Sequence, residues 1–154
     1  MNKNEHFELL TLNIDKLQKS IRMLEAAEAA NFNIKGVHIF WIYSLLDYED
    51  GLTASEIAAK SKINRSLVSR EIDELCKQNI VEYDENNKNS KRYNAHIKLT
   101  DKGRKLAMMI SQTAMNIQTE VRKGISESEL EIFYSVLTKL SDNFDKIIDR
   151  QKGI

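Results

Sequence analysis

Two stretches of this 154-residue chain carry several basic side chains and no acid. Ile57 to Arg70 holds Lys60, Lys62, Arg65 and Arg70, and Asn86 to Thr100 holds Lys88, Lys91, Arg92 and Lys98. Over residues 53–105, twelve Lys/Arg face eight Asp/Glu, a local excess of +4 in a chain whose 23 basic and 23 acidic residues cancel. An ordinary solvated face would explain either stretch alone. Two together, on elements suited to reaching a polyanion, point to phosphate contacts. The residue types that support catalysis are not arranged for it. His6, His38 and His96 lie far apart, and there is no Gly-rich phosphate loop, His-Glu-x-x-His or Cys-x-x-Cys. Cys76 is the only cysteine, so an internal disulfide or cysteine-based zinc site is excluded, and a reducing, cytoplasmic setting fits. Its thiol is expected to be largely buried and inert. No enzyme activity, cofactor or metal is expected.

The elements that must carry these charges follow from hydrophobic spacing. With no proline, five glycines and 42% hydrophobic residues, little interrupts long helices, and an all-β fold drops out. No apolar run approaches a membrane span; the longest, Val37 to Leu46, is short and broken by His38 and Ser44. Asn33 is placed to cap a helix through Val37, Trp41 and Leu45 that ends before the Asp50-Gly51 turn. Thr53-Ala54-Ser55-Glu56 is a capping box opening a second helix that buries Ile57 and Ala58. Residues Ser61 to Asn64 break it, and a third helix runs from about Arg65 to Lys77 with Leu67, Val68, Ile72 and Leu75 inward. Asn79 falls where a left-handed residue is needed. Two extended runs, Ile80 to Tyr83 and Ala95 to Leu99, flank a polar loop from Asp84 to Ser90. Helix, helix, turn, helix and a two-stranded wing make a winged helix-turn-helix over residues 33–103.

Both ends of the chain are amphipathic helices. Phe7, Leu10, Ile14, Leu17, Ile21 and Leu24 repeat at three and four over a helix from about 5 to 29. Leu130, Phe133, Leu137, Leu140, Phe144 and Ile147 do the same from about 126 to 149, behind a Ser126/Glu129 capping box. Between the wing and that helix, another carries Leu106, Met109, Ile110, Thr113, Ile117 and Val121 on one side and ends at Gly124. Such stripes can form the core of one subunit. Flanking a self-contained middle section, they are better explained as a shared homodimerisation bundle built from residues 1–32 and 104–154. The architecture is therefore mainly α, with about six helices and a two-stranded wing.

The geometry of this motif assigns roles. A recognition helix meets base edges of double-stranded DNA with its N-terminal residues, here Asn64, Arg65, Ser66, Ser69 and Arg70. Arg65 suits a bidentate guanine contact, and Arg70 a phosphate or a base. Lys62 precedes the helix, and Thr53 offers a hydroxyl and backbone N–H to a phosphate. Lys88, Lys91 and Arg92 in the wing are placed for the minor groove or its phosphates.

Several motifs resemble the MarR family of bacterial transcriptional regulators. Ile63-Asn64-Arg65-Ser66-Leu67-Val68-Ser69-Arg70-Glu71-Ile72-Asp73-Glu74-Leu75, followed by Asn79-Ile80-Val81-Glu82, is similar to the family's recognition helix and first wing strand. Leu99-Thr100-Asp101-Lys102-Gly103 resembles its junction into the fifth helix, and Gly51-Leu52-Thr53-Ala54-Ser55-Glu56-Ile57-Ala58 its third-helix opening. Lys91-Arg92-Tyr93 departs from the family's Asp-x-Arg wing motif. The resemblance implies a dimeric repressor on a pseudo-palindromic operator, released by a small-molecule effector held between the dimerisation helices and the DNA-binding lobe. His38, Trp41, Ile42 and Leu45 share a helix face that could line that crevice. The competing reading is a winged-helix module for protein contact, or an anti-repressor that dimerises without reading DNA.

Overall fold

The computed structural model describes residues 3–84 and 95–153. Along them run α1 (Lys3–Asn31), α2 (Gly36–Ser44) with a 3-10 turn at Leu45–Asp47, β1 (Leu52–Thr53), α3 (Ala54–Ser61) and α4 (Arg65–Lys77). β2 (Val81–Tyr83), β3 (His96–Leu99), α5 (Asp101–Val121) and α6 (Glu127–Lys152) follow. The chain divides into two compact units, Met1–Thr113 and Ala114–Ile154.

The first unit has one core. Trp41, Ile42 and Leu45 meet Ile57 of α3, Val68, Ile72 and Leu75 of α4, Ile80, Val81 and Ile97 around the strands, and Ala107 and Ile110 of α5. The 68, 72, 75 spacing turns one stripe of α4 inward, as a 3.6-residue period requires. The sheet is antiparallel in the order β1-β3-β2, with Leu52 opposite Ile97 and Val81 opposite Leu99. A two-stranded wing was expected from the sequence; the extra strand is two residues long and lies within what reads as a helix-opening motif.

Three local features differ from expectation. Asn33 does not cap α2: it sits at φ 54 beyond the end of α1, and Lys35 is the N-cap, with its backbone N–H donating to His38 Nδ1 at 3.3 Å. On α5 the inward residues are Gly103, Ala107 and Ile110, whereas Met109 and Val121 of the expected stripe are exposed. Leu67 is only half-buried, and Glu71 takes an inward place on α4. The expected left-handed residues at Asn79 and Gly124 are present, at φ 57 and φ 79.

The entry to α5 is built around Thr100 and Gly103. Thr100 Oγ1 donates to the Asn79 carbonyl at 2.7 Å and accepts from the Gly103 N–H at 3.0 Å, while the Thr100 N–H donates to the Ile80 carbonyl at 3.1 Å. Lys102 Nζ adds a bond to the Gln78 carbonyl at 2.7 Å. A Cβ at position 103 would lie 1.8 Å from the Ile80 carbonyl oxygen, so only glycine lets α5 approach this closely.

The heptad stripe of α1 is uncovered: Phe7, Ile14, Leu17, Ile21 and Leu24 are all exposed, and Leu10 is half-buried. In the second unit, Ser126 caps α6 reciprocally with Glu129. Leu130 is already buried, Leu137 and Leu140 are half-buried, and Phe133, Phe144 and Ile147 are exposed.

Candidate nucleic-acid interface

α3 and α4 form a helix-turn-helix with a tight joint. The Thr53 hydroxyl accepts from the Glu56 N–H at 3.2 Å, and Glu56 Oε2 accepts from the Thr53 N–H at 2.7 Å and its hydroxyl at 2.8 Å. These bonds, the backbone N–H first, hold the Glu56 carboxyl below the usual carboxylate range. They also engage the Thr53 N–H and hydroxyl that the sequence suggested for a phosphate, so a phosphate there would have to displace Glu56. Lys62 ends α3 in the left-handed region at φ 53, where its N–H donates to the Ala58 carbonyl. The turn is thus made by a lysine, and its exposed side chain flanks the start of α4.

Asn64 is the N-cap of α4, its side-chain oxygen accepting from the Ser66 N–H at 2.8 Å. This fixes the helix start and spends the acceptor end of a predicted base-reading amide. Ser66 and Arg70 are exposed, whereas Arg65 and Ser69 are half-buried. The first turn holds no acid. The acids further along face other groups: Asp73 Oδ1 accepts from the Tyr83 hydroxyl at 3.1 Å, and Glu74 lies 3.4 Å from Lys77 Nζ. The N-terminal turns of α4 therefore join the positive end of a helix dipole to Arg65 and Arg70, an arrangement that attracts phosphate.

Glu71 is the feature the charge count missed. It is 6% exposed, and one oxygen, Oε2, takes Lys35 Nζ at 2.7 Å and His38 Nε2 at 3.1 Å. Arg70 Nε lies 3.8 Å from the other oxygen. The Lys35 hydrogen bond chiefly holds the Glu71 carboxyl below its ordinary range, against the opposing effect of burial. Burial pushes the His38 imidazole below its ordinary value, opposed by Glu71. The spacing carried a signal: position 71 lies three residues after Val68 and four before Leu75, on the inward stripe.

In the described part of the wing one basic charge is already paired. Lys98 pairs with Asp84 at 2.9 Å, while Lys88, Lys91 and Arg92 lie outside the described residues. Of the four residues suggested for an effector crevice, His38, Ile42 and Leu45 are buried, the last two in the main core. Trp41, also buried, borders a cavity of about 710 Å³ between α1, α2 and the end of α3, with Arg22, Val37, Phe40 and Lys60 among its walls. The Trp41 indole N–H has no hydrogen-bond partner among the described residues. Cys76 is a half-buried thiol. Among the described residues no group of His, Cys, Asp and Glu could hold a metal ion, and no helix is long and apolar enough to cross a membrane.

The arrangement recurs in solved structures. A MarR family transcriptional regulator described as putative, from Listeria monocytogenes and complexed with a 26-mer DNA, superposes with a TM-score of 0.79 over 93% of this chain and 94% of its own, at 22% identity. The chain has the fold of the MarR-family regulators. A MarR/EmrR family regulator from Acinetobacter gives a TM-score of 0.75 at 19% identity, covering 95% of this chain and 99% of its own. A MarR family regulator from Neisseria meningitidis gives 0.76 at 18%, covering 98% and 99%. No family model matches the sequence, and no curated protein matches it. The MarR fold is thus carried here by a sequence that keeps little identity with these structures. Coverage near the full length of both partners extends the match to the terminal helices as well as the winged helix.

Proposed function

We propose that this protein is a MarR-family transcriptional regulator that binds double-stranded DNA in a sequence-specific manner. The observation that carries this reading is the start of α4, which brings Arg65, Ser66, Ser69 and Arg70 together with no acid in the first turn. Residues 33–103 are the DNA-reading region: α4 enters the major groove, Arg65 reads a base edge, Arg70 and Lys62 contact phosphates or bases, and Lys88, Lys91 and Arg92 follow the adjacent minor groove. Residues 1–32 and 104–154 form the dimerisation region. The apolar stripes of α1 and α6, left exposed in one chain, are covered by a second copy. Such a homodimer reads a pseudo-palindrome with half-sites about 34 Å apart.

The protein acts as a repressor released by a small molecule. The cavity beside Trp41 supports an effector with an apolar body, for Val37 and Phe40, and an anionic group, for Arg22 and Lys60. Binding there is expected to shift Trp41 fluorescence, and a ligand panel that moves neither the fluorescence nor the melting temperature would remove the effector from the scheme.

Fluorescence anisotropy with the duplex upstream of the protein's own gene, against a scrambled duplex at two salt concentrations, tests the central reading. Selective binding that weakens steeply with salt is expected, since phosphate contacts release counterions. Equal, weak and salt-insensitive binding to random-sequence pools as well would leave a winged-helix module for protein contact.

A further inference from the structure

A triad of exposed Lys35 with buried His38 and Glu71 joins the N-terminus of α2 to the middle of the recognition helix, and its hydrogen bonds admit one protonation state. His38 Nδ1 accepts the Lys35 backbone N–H at 3.3 Å, so Nδ1 carries no proton. His38 Nε2 must then hold the ring's single proton and donate it to Glu71 Oε2 at 3.1 Å. An imidazolium would set Nδ1–H against the Lys35 N–H, two donors facing each other at the N-terminus of α2. The same carboxylate oxygen receives Lys35 Nζ at 2.7 Å. Glu71 directly follows Arg70, so whatever fixes the rotation of α4 at Glu71 also fixes where Arg70 points. The ring itself is fully buried, tilted against Trp41 at 5.7 Å between centroids, and cannot swing out to solvent without opening the core.

The charged groups acting on the imidazole are Lys35, Glu71 and Glu74, with Arg70 beyond Glu71. On the other elements packed against α2, the charged groups are Arg22, Glu25 and Glu28 near the end of α1, Asp47 of the 3-10 turn, and Glu56 and Lys60 on α3. Arg22, Glu25 and Lys60 border the cavity beside Trp41.

We propose that Glu71 is a positioning residue for DNA reading, clamped by Lys35 and by the neutral Nε2–H form of His38, and that a second proton on His38 loosens the clamp and weakens operator binding. The step is a simple proton uptake from solvent at Nδ1, which breaks the bond from the Lys35 N–H. This rests on the DNA-binding reading above, but the ring chemistry can be tested without DNA.

The test uses the full-length protein and the tightest duplex it selects from a random-sequence pool. His38→Gln keeps an amide donor for Glu71 and takes up no proton in the range used. As the pH falls from about 8 to about 5.5, wild-type affinity should drop relative to H38Q, approaching a limit of about tenfold per pH unit for one linked proton. Exposed His6 and half-buried His96 are common to both proteins, so any contribution they make cancels in the comparison. Parallel pH profiles for the two folded proteins would overturn the proposal. Should H38Q not fold, Glu71→Gln serves: the preference for the selected over a scrambled duplex should fall about tenfold or more, the size expected when a base contact is misplaced. An unchanged preference would overturn the positioning role. Long-range ¹⁵N–¹H spectra of the histidine rings near neutral pH should show His38 protonated at Nε2 alone. Protonation at Nδ1, or at both nitrogens, would overturn the clamp. If wild-type protein selects no duplex at any pH, the regulator reading fails, and the ring spectra and the pH dependence of melting still decide the clamp.

Discussion

Replacing Gly103 by alanine should be a strongly damaging single-methyl change in the winged-helix unit. The added Cβ would lie 1.8 Å from the Ile80 carbonyl oxygen and 3.3 Å from Leu99 Cδ2. Ordinary carbon–oxygen contacts need about 3.3 Å, so α5 must retreat by roughly 1.5 Å at its first turn. That movement strains three bonds made at the junction: Thr100 Oγ1 to the Asn79 carbonyl, the Gly103 N–H to Thr100 Oγ1, and the Thr100 N–H to the Ile80 carbonyl. At about 1 kcal/mol net for each, their loss costs about 3 kcal/mol, and the better helix propensity of alanine returns about 1 kcal/mol at most. A net loss of about 2–3 kcal/mol lowers the melting temperature by about 4–12 °C for a chain of this size. Gly124→Ala is the control: nothing lies within 4 Å of the added Cβ, although φ is +79°. Its cost is the left-handed backbone alone, about 1–2 kcal/mol. Thermal unfolding followed by circular dichroism, at one protein concentration, compares the two. A G103A protein that melts no lower than G124A would refute the claim that the Ile80 carbonyl dictates glycine here.

Four other outcomes are expected. Arg65→Ala should cut the preference for operator over scrambled duplex by about 1–3 kcal/mol, whereas Lys91→Ala should weaken both alike and reduce the salt slope by about one, measured by anisotropy titrations. Thr53→Val keeps the shape of the side chain but removes the oxygen that accepts the Glu56 N–H, and should destabilise the fold by about 1 kcal/mol in urea unfolding. Stability should decline on acidification in two windows: His38, its folded value below 6.5, binds its proton more readily when unfolded, so stability falls as the pH drops below about 6.5. Glu71, also depressed, adds stability above about 4.5 that disappears as the pH falls through its folded value, and urea midpoints across this range should show both declines. Leu17→Glu with Phe144→Glu, which place charges on the exposed stripes, should yield monomers in sedimentation velocity; a dimer that persists would place the interface elsewhere.

What could be read in the sequence was local and periodic. The bounds of α4 fall at Arg65 and Lys77, as the spacing indicated, because the break at Ser61 to Asn64, the apolar stripe and Asn79 all mark the same helix. The two capping boxes at Thr53 and Ser126 are present for the same reason: their bonds span three residues and need no tertiary partner. Misreadings arose where a distant group decides the outcome. Asn33 has the chemistry of an N-cap, but the end of α1 at Asn31 takes it as a left-handed residue and leaves the cap to Lys35. On α5 the sequence shows a broad apolar surface, and which side turns inward is decided by Gly103, since only that residue allows contact with the Ile80 carbonyl. Thr53 is a misreading of another kind: its own capping box already commits its N–H to Glu56, whose carboxylate takes the hydroxyl as well, and neither is left open to a phosphate.

Glu71 carries the same lesson into function. A charge census counts it as one of three acids that cancel the three bases of α4, and so understates how positive the reading face is. Its carboxylate is instead paired with Lys35, thirty-six positions away, and accepts a hydrogen bond from the neutral ring of His38, thirty-three positions away. The effect on the interface is twofold. The negative charge is withdrawn from the face that meets phosphate, and the helix bearing Arg65 and Arg70 gains a buried anchor whose strength depends on a proton. A sequence places a charge along the chain, but a nucleic acid meets only charges that remain at the surface, and hydrogen bonds between distant elements decide which do. The pH profile of H38Q is therefore also a measure of how far the interior of this protein sets the field at its exterior.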